Sequence, residues 1–205
     1  MDTEQKIIQK AIELFKKLGI RNVTMDTLAN ELGISKRTIY ELFKDKNNLV
    51  SISIQEMARQ NREEVLEIIN NSTNVIDAMF QIGRNGQQQR AEMSDAFFDD
   101  IKKRFPEINK RFNTDSEYRN SSVSQLLLSR GVNEGIFRSE LNIELVSTFI
   151  EQLGSFLHNS EYFTAGNINE KEIMKNIFLP YFRGISTEKG VKLIEQYFSE
   201  NQEFL

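Results

Sequence analysis

The sequence predicts an all-α fold in which a three-helix N-terminal domain, containing a helix-turn-helix, precedes a larger C-terminal helical bundle. Apolar residues recur at helical spacing along most of the 205 residues. Only two prolines and ten glycines interrupt the chain, so helix breakers are few. No segment shows the apolar-polar alternation that is typical of a strand.

The N-terminal segment predicts three short helices. Residues 3–18 place apolar side chains at helical spacing, and Gly19 is a suitable C-cap. Thr24 is a suitable N-cap for the second helix, which ends at Gly33, and Ser35 is a suitable N-cap for the third, "KRTIYELF". The second and third helices are joined by "GIS", a short turn that contains glycine. This arrangement is typical of a helix-turn-helix.

The rest of the chain is also helical by pattern. A long fourth helix begins near Lys46 and ends near residue 70. Further helices are predicted at 74–89, 91–103, 115–133, 142–158, 170–184 and 187–198. We therefore predict a helix-turn-helix domain over residues 1–47 and a second helical domain over residues 48–205.

The composition indicates the cellular compartment in which the protein resides. The chain has no cysteine, which removes disulfides, thiolate zinc sites and cysteine nucleophiles and fits a reducing environment. The N-terminus is charged throughout and lacks the apolar core of a secretory signal. No apolar run approaches the ~18 residues of a membrane span. We expect a cytoplasmic protein without a membrane partner.

The chain offers no visible catalytic or metal-binding constellation. His158 is the only histidine, and neither a metal site nor a Ser-His-Asp relay can be assembled around it. Asp99 and Asp100 are adjacent, so they point about 100° apart on a helix, and we interpret both as a solvated face. We expect no enzymatic activity, no metal and no cofactor.

Charge is unevenly distributed along the chain. The formal net charge is -4, yet residues 1–50 carry a net +2. Four cations lie close together in residues 33–46, "GISKRTIYELFKDK", and two of them, Lys36 and Arg37, follow the capping serine. Cations are unfavourable at a helix N-terminus. A basic segment on an acidic chain indicates an anionic partner.

A helical wheel separates the third helix into two faces. Ile39, Leu42 and Phe43 form the apolar face, by which we expect the helix to dock. Lys36, Arg37 and Tyr40 point away from that face at the N-terminal end. A lone Lys-Arg pair would be explained as solvated surface charge. That explanation accounts for neither the helix-turn-helix spacing nor the outward tyrosine.

The N-terminal end of such a helix is the part that enters the DNA major groove. Lys36 and Arg37 can donate to guanine or to phosphates, and Tyr40 can donate to phosphate or stack on sugars and thymine methyls. Lys44 and Lys46 lie beside this end, where phosphate contact is the expected role. The pattern therefore predicts a double-stranded DNA partner.

Residues 5–50, with the run "AIELFKKLGIRNVTMDTLANELGISKRTIYELFKDKNNL", resemble the N-terminal pattern of the TetR family of bacterial transcriptional repressors. The resemblance implies an all-helical homodimer, with a three-helix DNA-binding head and a larger body that holds a ligand pocket and the dimer interface. Carried over by position, it implies that Thr38 and Tyr40 contact the operator and that Lys46 contacts phosphate. Lys36 and Arg37 match variable positions that set sequence preference.

The resemblance also extends to Thr24 and to the body. Thr24 matches a capping position whose neighbourhood often touches phosphate. The helices near 142–158 and 170–184 match those that form a four-helix dimer interface, and they carry apolar residues that pack within one chain or between two. The candidate interface residues are Phe149, Leu153, Phe156, Ile177 and Tyr181.

Five phenylalanines of the body, Phe80, Phe97, Phe98, Phe105 and Phe112, are candidates for an apolar pocket, although core packing is the default for each. No residue is assigned to ligand binding, and the small-molecule effector is unknown.

The resulting hypothesis is a homodimeric repressor that a small-molecule ligand releases from a palindromic operator, with two third helices in successive major grooves, roughly 34–36 Å apart. An activator or a ligand-independent regulator remains open. A protein-interaction module that kept the head without its DNA function is an alternative of another class. Salt-dependent DNA binding discriminates between these classes.

Overall fold

The computed structural model describes residues 2–105, 107–108, 121–159 and 170–201, and within these ranges the fold is all-α, as predicted. The described residues form no β-sheet; an isolated bridge pairs Phe137 with Ser186. None of the described helices combines the length and the apolar character that a membrane span requires.

The helices follow the predicted order. In the first half they are α1 (Thr3–Leu18), α2 (Met25–Leu32), α3 (Lys36–Leu42), α4 (Lys46–Asn71), α5 (Val75–Ala91) and α6 (Asp95–Arg104). In the second half they are α7 (Ser121–Asn133), α8 (Ile143–Asn159), α9 (Glu170–Ile173), a π-helical turn (Met174–Phe178), α10 (Leu179–Ile185) and α11 (Glu188–Glu200). Most predicted boundaries differ from these by one or two residues. The first part of the helix predicted at 115–133 lies outside the described residues.

The π-helical turn departs from the prediction of one uninterrupted helix over 170–184. In this turn the Leu179 N–H reaches back to the Met174 carbonyl, five residues earlier. Pro180 follows directly and explains the wider turn. A proline inside a helix lacks the N–H donor, and its ring crowds the carbonyl four residues back, here that of Asn176.

The chain folds into two compact units. The first consists of Met1–Glu64 with Arg84–Arg119, and the second of Val65–Gly83 with Asn120–Leu205. Compactness therefore assigns the start of α4, the end of α5 and all of α6 to the same unit as α1–α3. The boundary predicted at 47/48 follows from the DNA-binding motif and not from compactness, and it stays a prediction.

The first unit has a core built mainly from α1–α4. Its fully buried side chains include Ile7, Ala11, Phe15, Ile20, Val23, Leu28, Ile39, Phe43, Leu49, Val50 and Ile54. Helix α6 joins this core through Phe97. The Ser94 N–H, at the start of α6, donates to the Lys16 carbonyl at 2.8 Å. This hydrogen bond connects the start of α6 to the end of α1.

The second unit has its own apolar core, formed by Val75, Ile76, Phe80, Leu128, Ile136, Phe137, Leu179, Ile185, Ile194 and Phe198. Arg130 closes the turn between α4 and α5. Its guanidinium donates to the Ser72 carbonyl at 2.8 Å and also pairs with Glu134. Glu134 in turn accepts the Val75 N–H at 2.8 Å. These contacts satisfy backbone groups that helix ends leave without partners.

Candidate nucleic-acid interface

The turn between α2 and α3 is held by backbone geometry. Gly33 adopts a left-handed conformation with φ of 64°, and its N–H donates to the Ala29 and Asn30 carbonyls. This conformation favours glycine, because a Cβ would be strained there. The Ile34 N–H donates to the Ala29 carbonyl at 3.0 Å, and Ser35 then caps α3. The predicted helix-turn-helix is therefore present.

Helix α3 docks on the first unit through a narrow face. Ile39 and Phe43 are fully buried, as predicted. Leu42 is 41% exposed, so the prediction that it docks is wrong. The physical reason is that α3 ends at Leu42 and Phe43 is already extended, with φ of -125° and ψ of 123°. Phe43 turns into the core after the helix has ended, and the core does not reach around to Leu42.

The outward side chains at the start of α3 form what we call the reading face, consisting of Lys36, Arg37 and Tyr40. All three are exposed, and the Arg37 side chain is 87% exposed. Each cation has a carboxylate partner. Lys36 Nζ lies 2.7 Å from Asp26 Oδ2, and Arg37 Nε lies 2.8 Å from Glu41 Oε1. The hydrogen bond to Asp26 raises the pKa of Lys36.

The two predicted threonines are engaged in helix capping. The Thr24 hydroxyl oxygen accepts the Thr27 N–H at 3.0 Å at the start of α2. The Thr38 hydroxyl lies 2.9 Å from the Ser35 hydroxyl at the start of α3. Thr24 is exposed and Thr38 is half-buried. Their contacts with DNA stay predictions.

The other two predicted cations differ in their surroundings. Lys44 is exposed, directly after the end of α3. Lys46 is half-buried at the start of α4, and its Nζ donates to the Arg21 carbonyl at 3.3 Å. Burial lowers the pKa of Lys46, and Asp100 partly offsets that effect. Lys46 thus links the start of α4 to the turn between α1 and α2.

Sequence reasoning missed a buried carboxylate behind this turn. Asp100, on α6, is only 8% exposed, and its Oδ2 accepts the Arg21 N–H at 2.7 Å. Arg104 Nε lies 3.5 Å from Oδ1 of the same carboxylate. The turn that follows α1 is therefore held from α6 by a charge-assisted hydrogen bond.

The prediction that Asp99 and Asp100 share a solvated face is wrong for Asp100. Asp99 is exposed and pairs with Lys103 at 2.8 Å. Adjacent helical residues point about 100° apart, so one can be buried while the other is solvated. The available signal was the spacing of Asp100 from Phe97, because residues three apart lie on the same helix face and Phe97 is buried.

Comparison with known proteins agrees with this geometry. Residues 7–51, which run from within α1 through α2 and α3 into the start of α4, match the family of bacterial regulatory proteins named tetR. This segment is a TetR-type head. The match and the helix-turn-helix geometry indicate a DNA-binding head. Among the described residues, no group of three or more histidine, cysteine or acidic residues could hold a metal ion.

Curated relatives of the TetR-type head come from Staphylococcus aureus. The chain is 40% identical over 55 residues to the HTH-type transcriptional regulator SAB2452 of strain bovine RF122 / ET3-1, which covers 27% of this chain and 30% of the relative. It is 41% identical over 54 residues to SAUSA300_2515 of strain USA300, over 26% and 29% of the two chains. The alignment thus spans about a third of the length of these relatives.

Solved structures resemble the chain over nearly its whole length. A transcriptional regulator from Cytophaga hutchinsonii superposes with a TM-score of 0.70 at 18% identity, over 89% of this chain and 98% of its own. A TetR-family regulator from Marinobacter aquaeolei superposes with a TM-score of 0.63 at 17% identity, over 100% and 99% of the two chains. At such identities the likeness concerns the fold alone, and it extends beyond the head.

Proposed function

We propose that this protein is a homodimeric transcriptional repressor that binds a palindromic DNA site and is released from it by a small molecule. The observation that carries the proposal is the reading face, in which Lys36, Arg37 and Tyr40 are exposed at the start of α3 while Ile39 and Phe43 anchor the helix. Side chains in that position can reach base edges once the helix enters a major groove.

Selection of bound duplexes from a random DNA pool tests the DNA-binding part of the proposal. We expect enrichment of one inverted repeat, because two identical heads related by a two-fold axis read two identical half-sites. Affinity for the selected site should fall steeply as salt increases, since cations that contact phosphates release bound counterions. The proposal would be contradicted if the selected duplexes shared no sequence, or if binding did not depend on salt.

Replacing Lys36 or Arg37 with alanine should weaken binding to the selected site by roughly 1–3 kcal/mol if the lost contact is a bidentate one to guanine. The base preference at one position of each half-site should relax at the same time. Fluorescence anisotropy with the selected duplex and its single-base variants measures both effects. A matched control is Arg59→Ala, because Arg59 is an exposed cation of α4 outside the helix-turn-helix. Unchanged affinity and preference in both variants would contradict the reading role.

Exposed apolar residues of α8 support the proposal that two chains form a dimer. Leu145, Phe149 and Phe156 are large apolar residues with exposed side chains, and Phe156 is 60% exposed. Clustered exposed apolar groups mark interaction surfaces. Two of them, Phe149 and Phe156, belong to the predicted interface.

The remaining predicted interface residues lie close to these. Leu153, Ile177 and Tyr181 are half-buried, and the rings of Phe149 and Tyr181 are 5.0 Å apart between centroids. Helices α8 and α10 are therefore in contact within one chain. This contact supports the proposal that the two helices share one interface.

Sedimentation should show a species of about twice the chain mass of 23.9 kDa. The variant Phe156→Glu should dissociate to a monomer, because a charge in an apolar interface loses its hydration. Leu126→Glu is the control, since Leu126 is an exposed apolar residue of α7 outside the predicted interface. A stable wild-type monomer at micromolar concentration would remove the model of two half-sites. A dimeric Phe156→Glu variant would place the interface elsewhere.

The effector part of the proposal rests on the family. Among the candidate pocket phenylalanines, Phe80 stacks on Tyr197 in the second unit, and Phe97 is buried in the first. Phe98 lies under the Arg90 guanidinium at 3.7 Å, and Phe112 lies outside the described residues. Screening small molecules for a rise in melting temperature, followed by loss of DNA binding, tests this part.

A further inference from the structure

The two cations of the reading face are each held by a carboxylate, and those carboxylates lie on the same surface. Asp26 belongs to the first turn of α2 and Glu41 to the last turn of α3. Resting on the DNA-binding function proposed above, we propose that Asp26 and Glu41 are specificity-determining residues, which suppress binding to arbitrary DNA and reserve Lys36 and Arg37 for a cognate site.

These ion pairs contribute little to the fold. The Asp26 side chain is 64% exposed and that of Glu41 is 59% exposed. Solvent screens such pairs, and holding two long side chains in one geometry offsets most of the attraction. The Arg37–Glu41 pair is also local to one helix, since its members are four residues apart. It therefore connects no separate parts of the structure.

The carboxylates act against contacts with the DNA backbone. Non-specific affinity for DNA depends on how many phosphates the protein neutralises with lysine and arginine. A carboxylate beside each cation cancels part of its charge and is itself repelled by the phosphates. The positive charge of two of the four cations near α3 is partly cancelled in this way. Lys44 and Lys46 have no carboxylate within ion-pair distance among the described residues.

A cognate site can compensate for this repulsion. Arg37 offers donors that suit the O6 and N7 atoms of guanine, whereas Glu41 can accept from the N4 amine of cytosine. One turn of helix separates the two residues, so both side chains lie on one face of α3. A sequence without a donor for Glu41 leaves its carboxylate facing phosphates and base acceptors. Discrimination by such a repulsive group is a recognised route to specificity.

The variant Glu41→Gln tests the inference, because it removes the charge and keeps the side-chain shape. Its matched control is Glu63→Gln. Glu63 forms an exposed pair with Arg59, also four residues away, on α4 and outside the helix-turn-helix. Affinities for the selected duplex and for a random-sequence duplex are measured by fluorescence anisotropy over a range of salt concentrations. Equal midpoints of urea unfolding verify that both variants are folded.

The Glu41→Gln protein should bind the random duplex about three- to tenfold more tightly, with a salt slope steeper by up to about one unit, as one more net phosphate contact would give. Its affinity for the selected duplex should rise less or fall, so the ratio of specific to random affinity decreases. Glu63→Gln should leave that ratio unchanged. An equal change of the ratio in both variants, or an unchanged ratio in Glu41→Gln, would overturn the inference.

Asp26 is tested by the same measurements on Asp26→Asn. The control is Asp95→Asn, because Asp95 also lies in the first turn of a helix, α6, and pairs with Arg90 at 3.5 Å. Both variants lose one favourable charge at a helix N-terminus, so only the effect on DNA binding separates them. DNA binding by the wild-type protein shows whether the proposed function or only this inference fails. Without salt-dependent DNA binding the proposed function fails, whereas with it and unaltered ratios only this inference fails.

Discussion

Replacing Asp100 with alanine is expected to lower the free energy of unfolding of this protein by about 2–3 kcal/mol, because the Arg21 N–H loses a charged partner in a part-buried position. DNA affinity should fall as well. The Arg21 backbone belongs to the turn that precedes α2, and its carbonyl also accepts a hydrogen bond from Lys46. Urea unfolding and fluorescence anisotropy with the selected duplex measure the two effects.

Asp99→Ala is the matched control for this prediction. Asp99 is the adjacent residue on α6 and its pair with Lys103 is exposed, so its loss should change stability by about 0–1 kcal/mol. Asp100→Asn should fall between the two variants, because its side-chain carbonyl can still accept the Arg21 N–H without the charge. If Asp100→Ala and Asp99→Ala were equally stable, the hydrogen bond to Arg21 would not hold the turn.

Phe43→Ala is expected to destabilise the first unit by about 3–5 kcal/mol, because it removes a fully buried aromatic side chain and leaves a cavity. Since Phe43 and Ile39 anchor α3, the loss should also abolish sequence-specific DNA binding at temperatures where the second unit remains folded. Thermal unfolding followed by circular dichroism, together with DNA binding at each temperature, measures these effects.

Leu42→Ala separates the buried face of α3 from its exposed side. Leu42 is the neighbouring residue and is substantially exposed, so its truncation should change the free energy of unfolding by less than about 1 kcal/mol. Similar losses in Phe43→Ala and Leu42→Ala would mean that Leu42 also docks, as the helical wheel predicted. A small effect for both would mean that α3 is held by its turn and not by its core contacts.

The DNA-binding motif could be predicted from the sequence because its signals are local. The capping hydroxyls of Thr24 and Ser35 and the left-handed Gly33 act within three or four residues of their own positions. Helical periodicity likewise located the remaining elements to within a few residues. The outward orientation of Lys36 and Arg37 followed from the same periodicity, once one side of α3 was assigned to the core.

Three features depended on contacts between distant parts of the chain. Leu42 is exposed because the core contacts only part of the apolar side of α3. A helical wheel does not show how much of that side the core contacts. Asp100 meets the Arg21 N–H across 79 positions of sequence. The ion pair between Lys36 and Asp26 joins two helices whose relative position is set by the turn between them.

The order of the helices, the helix-turn-helix and the identity of the outward cations of α3 are properties of the sequence, because caps, glycine conformation and apolar periodicity act over a few residues. The tertiary structure decided the partners of those side chains. Burial of Asp100 depends on α6 meeting the turn after α1, and the Asp26–Lys36 pair depends on the packing of α2 against α3. Such contacts arise where separate helices compete for one core, and periodicity within a single helix carries no information about them.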